Sequence, residues 1–211
     1  MKKIMIFLVL CCWNNTKALT HTLEDMKMSY QLLESEKTPH NYYTYFQYFP
    51  SNWDSFVRLF GFYNENPAPL YSDSYKFIDL YFECCQWVPM DSFVNKTLNI
   101  TEDALYDADG VTYFKLWMES MFIGETPHHT YVYESCSESF IQSLSNAPVS
   151  RLAHFWHFYF DCPYIDNYTK IYEATCEKLQ PFPNLLSMMQ SAYVNAKKNK
   201  GQWRYLPYVP K

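Results

Sequence analysis

His154, His157 and Asp161 fall at i, i+3 and i+7, so a helix through them would set two imidazoles and a carboxylate on one face. Such a set suits Zn²⁺ or a similar ion with positions left open for water, as in a metal-dependent hydrolase. The same spacing also makes an ordinary solvated face. It is not H-E-x-x-H, and no glutamate stands where the general base of such a site would be. His128 and His129 follow Pro127 and read as a helix-start pair, able to join the site only if a loop folds back.

Other chemistry is sparse. Asp107-Ala108-Asp109-Gly110 opens like a calcium loop, but Val111 takes the next ligand position and Met118 stands where a bidentate glutamate is needed. An acidic turn that caps the following helix is the better reading. Ser120, Ser135 and Ser150 lack a G-x-S-x-G setting. With glycine only at 61, 110, 124 and 201, neither G-x-G-x-x-G nor G-x-x-x-x-G-K can be built. There is no CxxC, which excludes zinc-ribbon and thioredoxin-type chemistry.

The elements that must carry these residues read as helices. Phe114, Trp117, Met118, Met121 and Phe122 form one helical face, and Leu152, Phe155, Trp156, Tyr159 and Phe160 repeat it, opposite the His154/His157/Asp161 face. Leu185, Met188, Met189, Ala192 and Tyr193 do the same near the end of the chain. Trp53, Phe56, Val57 and Phe60 make a shorter stripe, with Ser51 as the expected N-cap and Gly61 just past the end. Ser72 and Asp109 are comparable caps for helices over 73–87 and 110–123. Stripes of this kind are core.

Pro50, Pro89, Pro127 and Pro163 recur at near-regular intervals, each between two aromatic-rich helical stretches. Proline at a helix start is tolerated, because its missing N–H has no intrahelical partner there. The expectation is an all-α fold in a single domain, either a helical bundle or stacked helix hairpins in a HEAT-like array.

Residues 1–18 read as a signal peptide: Lys2 and Lys3, an apolar run from Ile4 to Trp13, then a polar stretch with Thr16 and Ala18 at the positions a peptidase reads. The run is too short to span a bilayer, which needs about 20 apolar residues. The expectation is export to the periplasm, the outer surface or the medium, with residues 19–211 as the mature domain and 200–211 as a Pro- and aromatic-rich tail. Cys11 and Cys12 bring a lipid anchor into view, but Leu10 before Cys11 and Cys11 before Cys12 are not the small residue that lipidation requires. Asn95, Asn99 and Asn167 open Asn-Xaa-Thr triplets, without glycans in a chain whose leader looks bacterial. Export permits disulfides. Among Cys84, Cys85, Cys136, Cys162 and Cys176 the first pair to test is Cys162 with Cys176, near one helix hairpin, whereas adjacent Cys84 and Cys85 point to different faces.

Loss of residues 1–18 removes three lysines and no acid, so the formal charge of −5 becomes more negative by three. That disfavours nucleic acid and anionic membranes as partners and mildly favours a basic protein, although solubility alone accounts for such a charge. The chain carries 20 Tyr, 16 Phe and 6 Trp, more than one core stripe absorbs, and Tyr suits half-wet surfaces. Candidate protein contacts are Tyr42, Tyr43, Tyr45 and Tyr48, the acidic turn Glu102, Asp103, Asp107 and Asp109, and Trp203 and Tyr205 in the tail. The same aromatics could stack on sugar rings, which makes a glycan-binding module an alternative.

The run Phe49-Pro50-Ser51-Asn52-Trp53-Asp54-Ser55-Phe56, with Leu59-Phe60-Gly61-Phe62 and Pro67-Ala68-Pro69-Leu70-Tyr71, resembles a segment of small exported helical proteins of Gram-negative gut bacteria. Some proteins of that kind act as immunity proteins that neutralise a toxin from a neighbouring cell. The resemblance implies a non-enzymatic, protein-binding role in which the chain covers a basic secreted toxin, needing no cofactor and carrying over no functional residue.

Overall fold

The computed structural model describes residues 22–63, 66–107, 109–124 and 134–199. The expected signal peptide, Cys11 and Cys12, the His128-His129 pair and the tail with Trp203 and Tyr205 lie outside the described residues. Within them the chain is all-α, as its apolar spacing predicts. The helices are α1 (Leu23–Ser35), α2 (Pro39–Tyr48), α3 (Trp53–Phe60), α4 (Ser74–Glu83), α5 (Met90–Thr101), α6 (Gly110–Ile123), α7 (Glu134–Ser145), α8 (Val149–Phe160), α9 (Thr169–Leu179) and α10 (Pro183–Lys198). A short antiparallel pairing of Phe62–Tyr63 with Asn66–Pro67 follows α3.

Local chemistry explains the boundaries. Thr22 and Asp25 form a capping box at α1, and Thr38 caps α2 just before Pro39 at its first position. At α3 the capping oxygen belongs to Asn52, not Ser51: Oδ1 of Asn52 accepts the Ser55 N–H at 2.9 Å. The helix expected over 73–87 is α4 followed by a 3-10 turn, Cys84–Gln86, and a turn over Tyr71–Asp73 displaces Ser72 from the cap. α6 keeps its expected limits and ends at Gly124, whose φ of 73° is the left-handed conformation that glycine adopts freely.

α4 packs on α6, α5 on α7 and α8 on α10, the next-but-one contacts of stacked hairpins. α6 also meets α3, α7, α8 and α9, so the array closes into a bundle around it. All five residues of the Phe114–Phe122 stripe and all five of the Leu152–Phe160 stripe are buried. The rings form a continuous network, with Phe49 stacked 4.1 Å from Tyr81 and Phe122 5.5 Å from Tyr159. Each buried ring contributes roughly 2 kcal/mol of transfer free energy, whereas surface pairs such as Lys76–Asp73 are worth about 0–1 kcal/mol. The aromatic core therefore dominates stability.

Two helix pairs repeat one another in a way the prolines do not register. α4 carries Phe77, Tyr81, Phe82 and Glu83 followed by Cys84, and α8 carries Phe155, Tyr159 and Phe160 followed by Asp161 and Cys162. The Tyr81 hydroxyl bonds Thr97 Oγ1 on α5 at 2.9 Å, and the Tyr159 hydroxyl bonds Thr175 Oγ1 on α9 at 3.0 Å, with the same sixteen-residue separation. Each threonine in turn donates to the carbonyl four residues back. Among the described residues no helix is long and apolar enough to cross a membrane.

Candidate functional site

An open cleft of about 560 Å³ lies where the start of α6 meets the Tyr71–Asp73 turn and α4, walled by Tyr71, Tyr75, Tyr106 and Tyr113 with Asp109 and Thr112 between them. Gly110 makes this junction possible. A Cβ there would sit 2.8 Å from the Phe60 carbonyl oxygen and 3.1 Å from Ser74 Cβ, so any larger residue would push α6 off α3 and α4. Immediately before it, Asp109 holds φ 46° and ψ −98°, a conformation rare outside glycine. Asp109 stands at the N-cap position, as expected, yet its carboxylate caps nothing and instead accepts the Tyr71 hydroxyl. Strain of this kind persists where the surroundings over-determine it, and it concentrates at functional sites.

The aromatic walls are fixed to different degrees. Asp79 accepts both the Tyr113 hydroxyl at 2.6 Å and the Trp117 indole N–H at 2.8 Å, which locks the Tyr113 ring. Burial and that carboxylate push the Tyr113 hydroxyl well above its usual range, so it stays protonated. Tyr75 is 46% exposed and meets Tyr113 edge-on. Thr112 donates to the Asp107 carbonyl at 2.9 Å, tying the acidic turn to the first turn of α6.

Behind Tyr106 lies a sealed set of charges. Lys115 is 1% exposed, Glu119 2% and Asp161 8%. The Lys115 ammonium donates to the Asp161 carbonyl at 2.8 Å and lies 4.8 Å from the Tyr168 ring and 5.9 Å from that of Tyr106. Tyr168 donates to Glu119 Oε1 at 2.8 Å, and the Tyr106 N–H donates to Asp161 Oδ2 at 2.7 Å. Burial holds the Lys115 ammonium below its ordinary value. Burial also raises Glu119, against the pull of Lys115 and Tyr168, and raises Asp161, against the Tyr106 N–H and then His157. The cluster stiffens the rear wall of the cleft, while the cleft itself offers ring faces and a carboxylate to a cationic or sugar-like group.

The expected contacts separate sharply. Tyr45 is fully buried with its hydroxyl on the Phe77 carbonyl, and Tyr42 is buried with its hydroxyl on Glu83 at 2.7 Å. Both belong to the core, because α1, α4 and the Cys84–Gln86 turn close over α2. Tyr43 is exposed and Tyr48 half-buried. Glu102, Asp103 and Asp109 are exposed and Asp107 is half-buried, and of the four Asp109 lines the cleft.

The alternative metal face of His154, His157 and Asp161 is split by the end of α8. α8 ends at Phe160, and Asp161 is extended with ψ 94°, which turns its carboxylate inward to the Tyr106 N–H while His154 and His157 stay at the surface. Among the described residues, no three His, Cys, Asp or Glu side chains are grouped to hold a metal ion. Cys162 and Cys176, the first pair to test, are both thiols, Cys162 beside Lys115 and Tyr168, and Cys176 accepting from Gln190 at 4.0 Å.

Sequence reasoning missed Lys115 and Glu119, although two charges four residues apart inside the Phe114–Phe122 stripe were the available signal. Nothing in the spacing joins Tyr71, Tyr75, Tyr106 and Tyr113, which converge from three segments. Comparison of the chain with family models, curated proteins and solved structures found no match.

Proposed function

We propose that this chain is an exported, non-enzymatic protein that binds a basic partner, in its sharpest form an immunity protein that occludes a secreted toxin. The observation that carries the reading is the open cleft of four tyrosines with Asp109 in its lining, at the end of the acidic stretch that begins at Glu102. Tyrosine rings with a carboxylate between them suit an arginine or lysine side chain, which stacks on the ring and pairs with the acid. An acidic rim speeds encounter with a basic partner. The resemblance of the Phe49–Phe62 run to small exported helical proteins agrees with this reading, and so does the leader-like start of the chain.

The test begins with affinity capture from the native host, using residues 19–211 as bait. The expected result is a single stoichiometric basic protein whose activity is lost on binding. Tyr75→Ala and Asp109→Asn should each weaken that complex by roughly tenfold or more, in line with loss of an interfacial anchor, and added salt should weaken it further. Asparagine has the shape of aspartate and keeps an oxygen to accept the Tyr71 hydroxyl, so that variant removes the charge alone. Tyr43→Ala, on exposed α2 surface away from the cleft, should leave binding unchanged. A complex indifferent to Tyr75→Ala and Asp109→Asn would overturn the assignment. Saturable quenching of Tyr and Trp fluorescence by an oligosaccharide, lost in Tyr75→Ala, would replace it with the glycan-binding alternative.

A further inference from the structure

Cys85 and Cys136 are brought together by the fold from distant parts of the chain. Cys85 sits in the 3-10 turn that follows α4, Cys136 sits in the first turn of α7, and the turn and the helix pack on each other. The two thiols share a hydrogen bond and are 5% and 4% exposed. Adjacent Cys84 looks the other way, donating to the Leu80 carbonyl at 3.1 Å with the Tyr42 carbonyl at 3.5 Å.

We infer that Cys85 and Cys136 are the chain's disulfide pair, forming a bridge that clamps the end of α4 to the start of α7. Each thiol gives up one proton and one electron, and a sulfur–sulfur bond forms between them. The oxidant is a second disulfide, of a small thiol or an oxidoreductase, which takes both electrons and both protons and is cleaved to two thiols. Thiol–disulfide exchange needs a thiolate with access to the oxidant. Both sulfurs are sealed in the folded chain, and the hydrogen bond with Cys136, followed by burial, disfavours the Cys85 thiolate. Oxidation therefore belongs to the stage of folding before α7 docks, and the finished bridge is shielded from reductants. With this pair bridged, Cys84, Cys162 and Cys176 remain thiols.

The inference rests on the placement of the two thiols and not on the export reading, and the experiment keeps the two apart. The reduced, denatured chain is refolded in a reduced/oxidised glutathione buffer, alkylated in denaturant without reductant, digested and examined by mass spectrometry. The expected product is one cross-linked species joining the Cys85 and Cys136 peptides, lighter by two hydrogens than the thiol form. It should persist in Cys84→Ser, vanish in Cys85→Ser and Cys136→Ser, and resist dithiothreitol until denaturant is added. Alkylated Cys85 and Cys136 in the refolded wild-type chain would overturn the pairing, as would a bridge through Cys84 or between Cys162 and Cys176. A bridge that forms on refolding but is missing from chain isolated from the native host leaves the pairing standing and counts against export.

Discussion

The α4/α5 and α8/α9 units carry one hydroxyl lock each, built from the same residues at the same spacing, yet their polar surroundings differ. In α4/α5 the acid after the Tyr-Phe pair is Glu83, which stays at the rim, accepts the Tyr42 hydroxyl and pairs with Lys37 at 3.4 Å. In α8/α9 the matching acid is Asp161, which is buried, accepts a backbone N–H from Tyr106 and has Lys115 on its carbonyl. Each unit lies beside a lysine that caps the end of a helix. Half-buried Lys96 reaches the Phe46, Gln47 and Phe49 carbonyls at the end of α2, and buried Lys115 reaches the end of α8. A cation suits the negative end of a helix in either place. What packs over the motif, not the motif itself, decides whether its charges are wet or dry, and the dry version stands behind the tyrosine cleft.

The sharpest way to break this contrast is to remove the two lysines. Lys115→Met leaves the Asp161 carbonyl without its donor and Glu119 without a nearby cation, in a place water does not reach. Stranding buried polar groups in this way should cost about 3 kcal/mol. Lys96→Met strips the Phe46, Gln47 and Phe49 carbonyls of a donor, but it leaves no buried acid without its cation, and a side chain whose burial pulls it down to about 7 no longer has to be desolvated. Its cost should be nearer 1 kcal/mol. Denaturant unfolding of both variants measures the difference, and equal costs would mean that burial does not separate the two regions.

The pH dependence sharpens the same point. Glu119 has a raised pKa in the fold, chiefly through burial. Above the ordinary carboxyl range the unfolded chain has then released a proton that the folded chain still holds, so stability falls as pH rises from about 4.5 through the folded value. Lys115 gives the opposite slope at higher pH. Its pKa is lowered, the unfolded chain binds the extra proton, and stability rises with pH toward the ordinary lysine range. Glu119→Gln keeps an oxygen for the Tyr168 hydroxyl and removes only the acid. It should flatten the fall above pH 4.5 relative to the parent. A parallel pair of curves for Glu119→Gln and the parent would show that Glu119 does not titrate with folding.

The helices were legible because a 3.6-residue apolar period is a local signal: the Phe114–Phe122 and Leu152–Phe160 stripes are core, and α6 has the limits that Asp109 and Gly124 imply. The site was far less legible. The i, i+7 face of His154 and Asp161 assumed that α8 runs through 161, but its last helical residue is Phe160 and the carboxylate turns inward. The aromatic run 41–49 looked too rich for one stripe, yet only Tyr43 among its rings is exposed, because helices cover α2 on several sides. Helix ends and layer counts are set by tertiary packing, which periodicity does not carry.

The finest test of the comparison is the lock itself. Thr97 and Thr175 have one hydroxyl proton each, and each spends it on a carbonyl, of Phe93 at 3.0 Å and of Ile171 at 2.7 Å. Tyr81 and Tyr159 must then be the donors to the threonine oxygens. Replacing either tyrosine with phenylalanine deletes that donor, leaves the ring packing alone and strands no N–H or O–H. Each variant should therefore cost about 1 kcal/mol in denaturant unfolding, the net worth of one buried neutral hydrogen bond. The locks are equally buried, so equal costs are the expectation if they are independent of their surroundings. Their electrostatic neighbours are not equal, however: Glu119 bears on the Tyr159 hydroxyl, whereas thiols bear on that of Tyr81. If Tyr159→Phe costs clearly more, and the excess disappears in a Glu119→Gln background, the dry charge cluster extends through Tyr159 into the α8/α9 lock. If the costs match, the lock is a modular element that the chain uses twice, and the cluster ends at Tyr168.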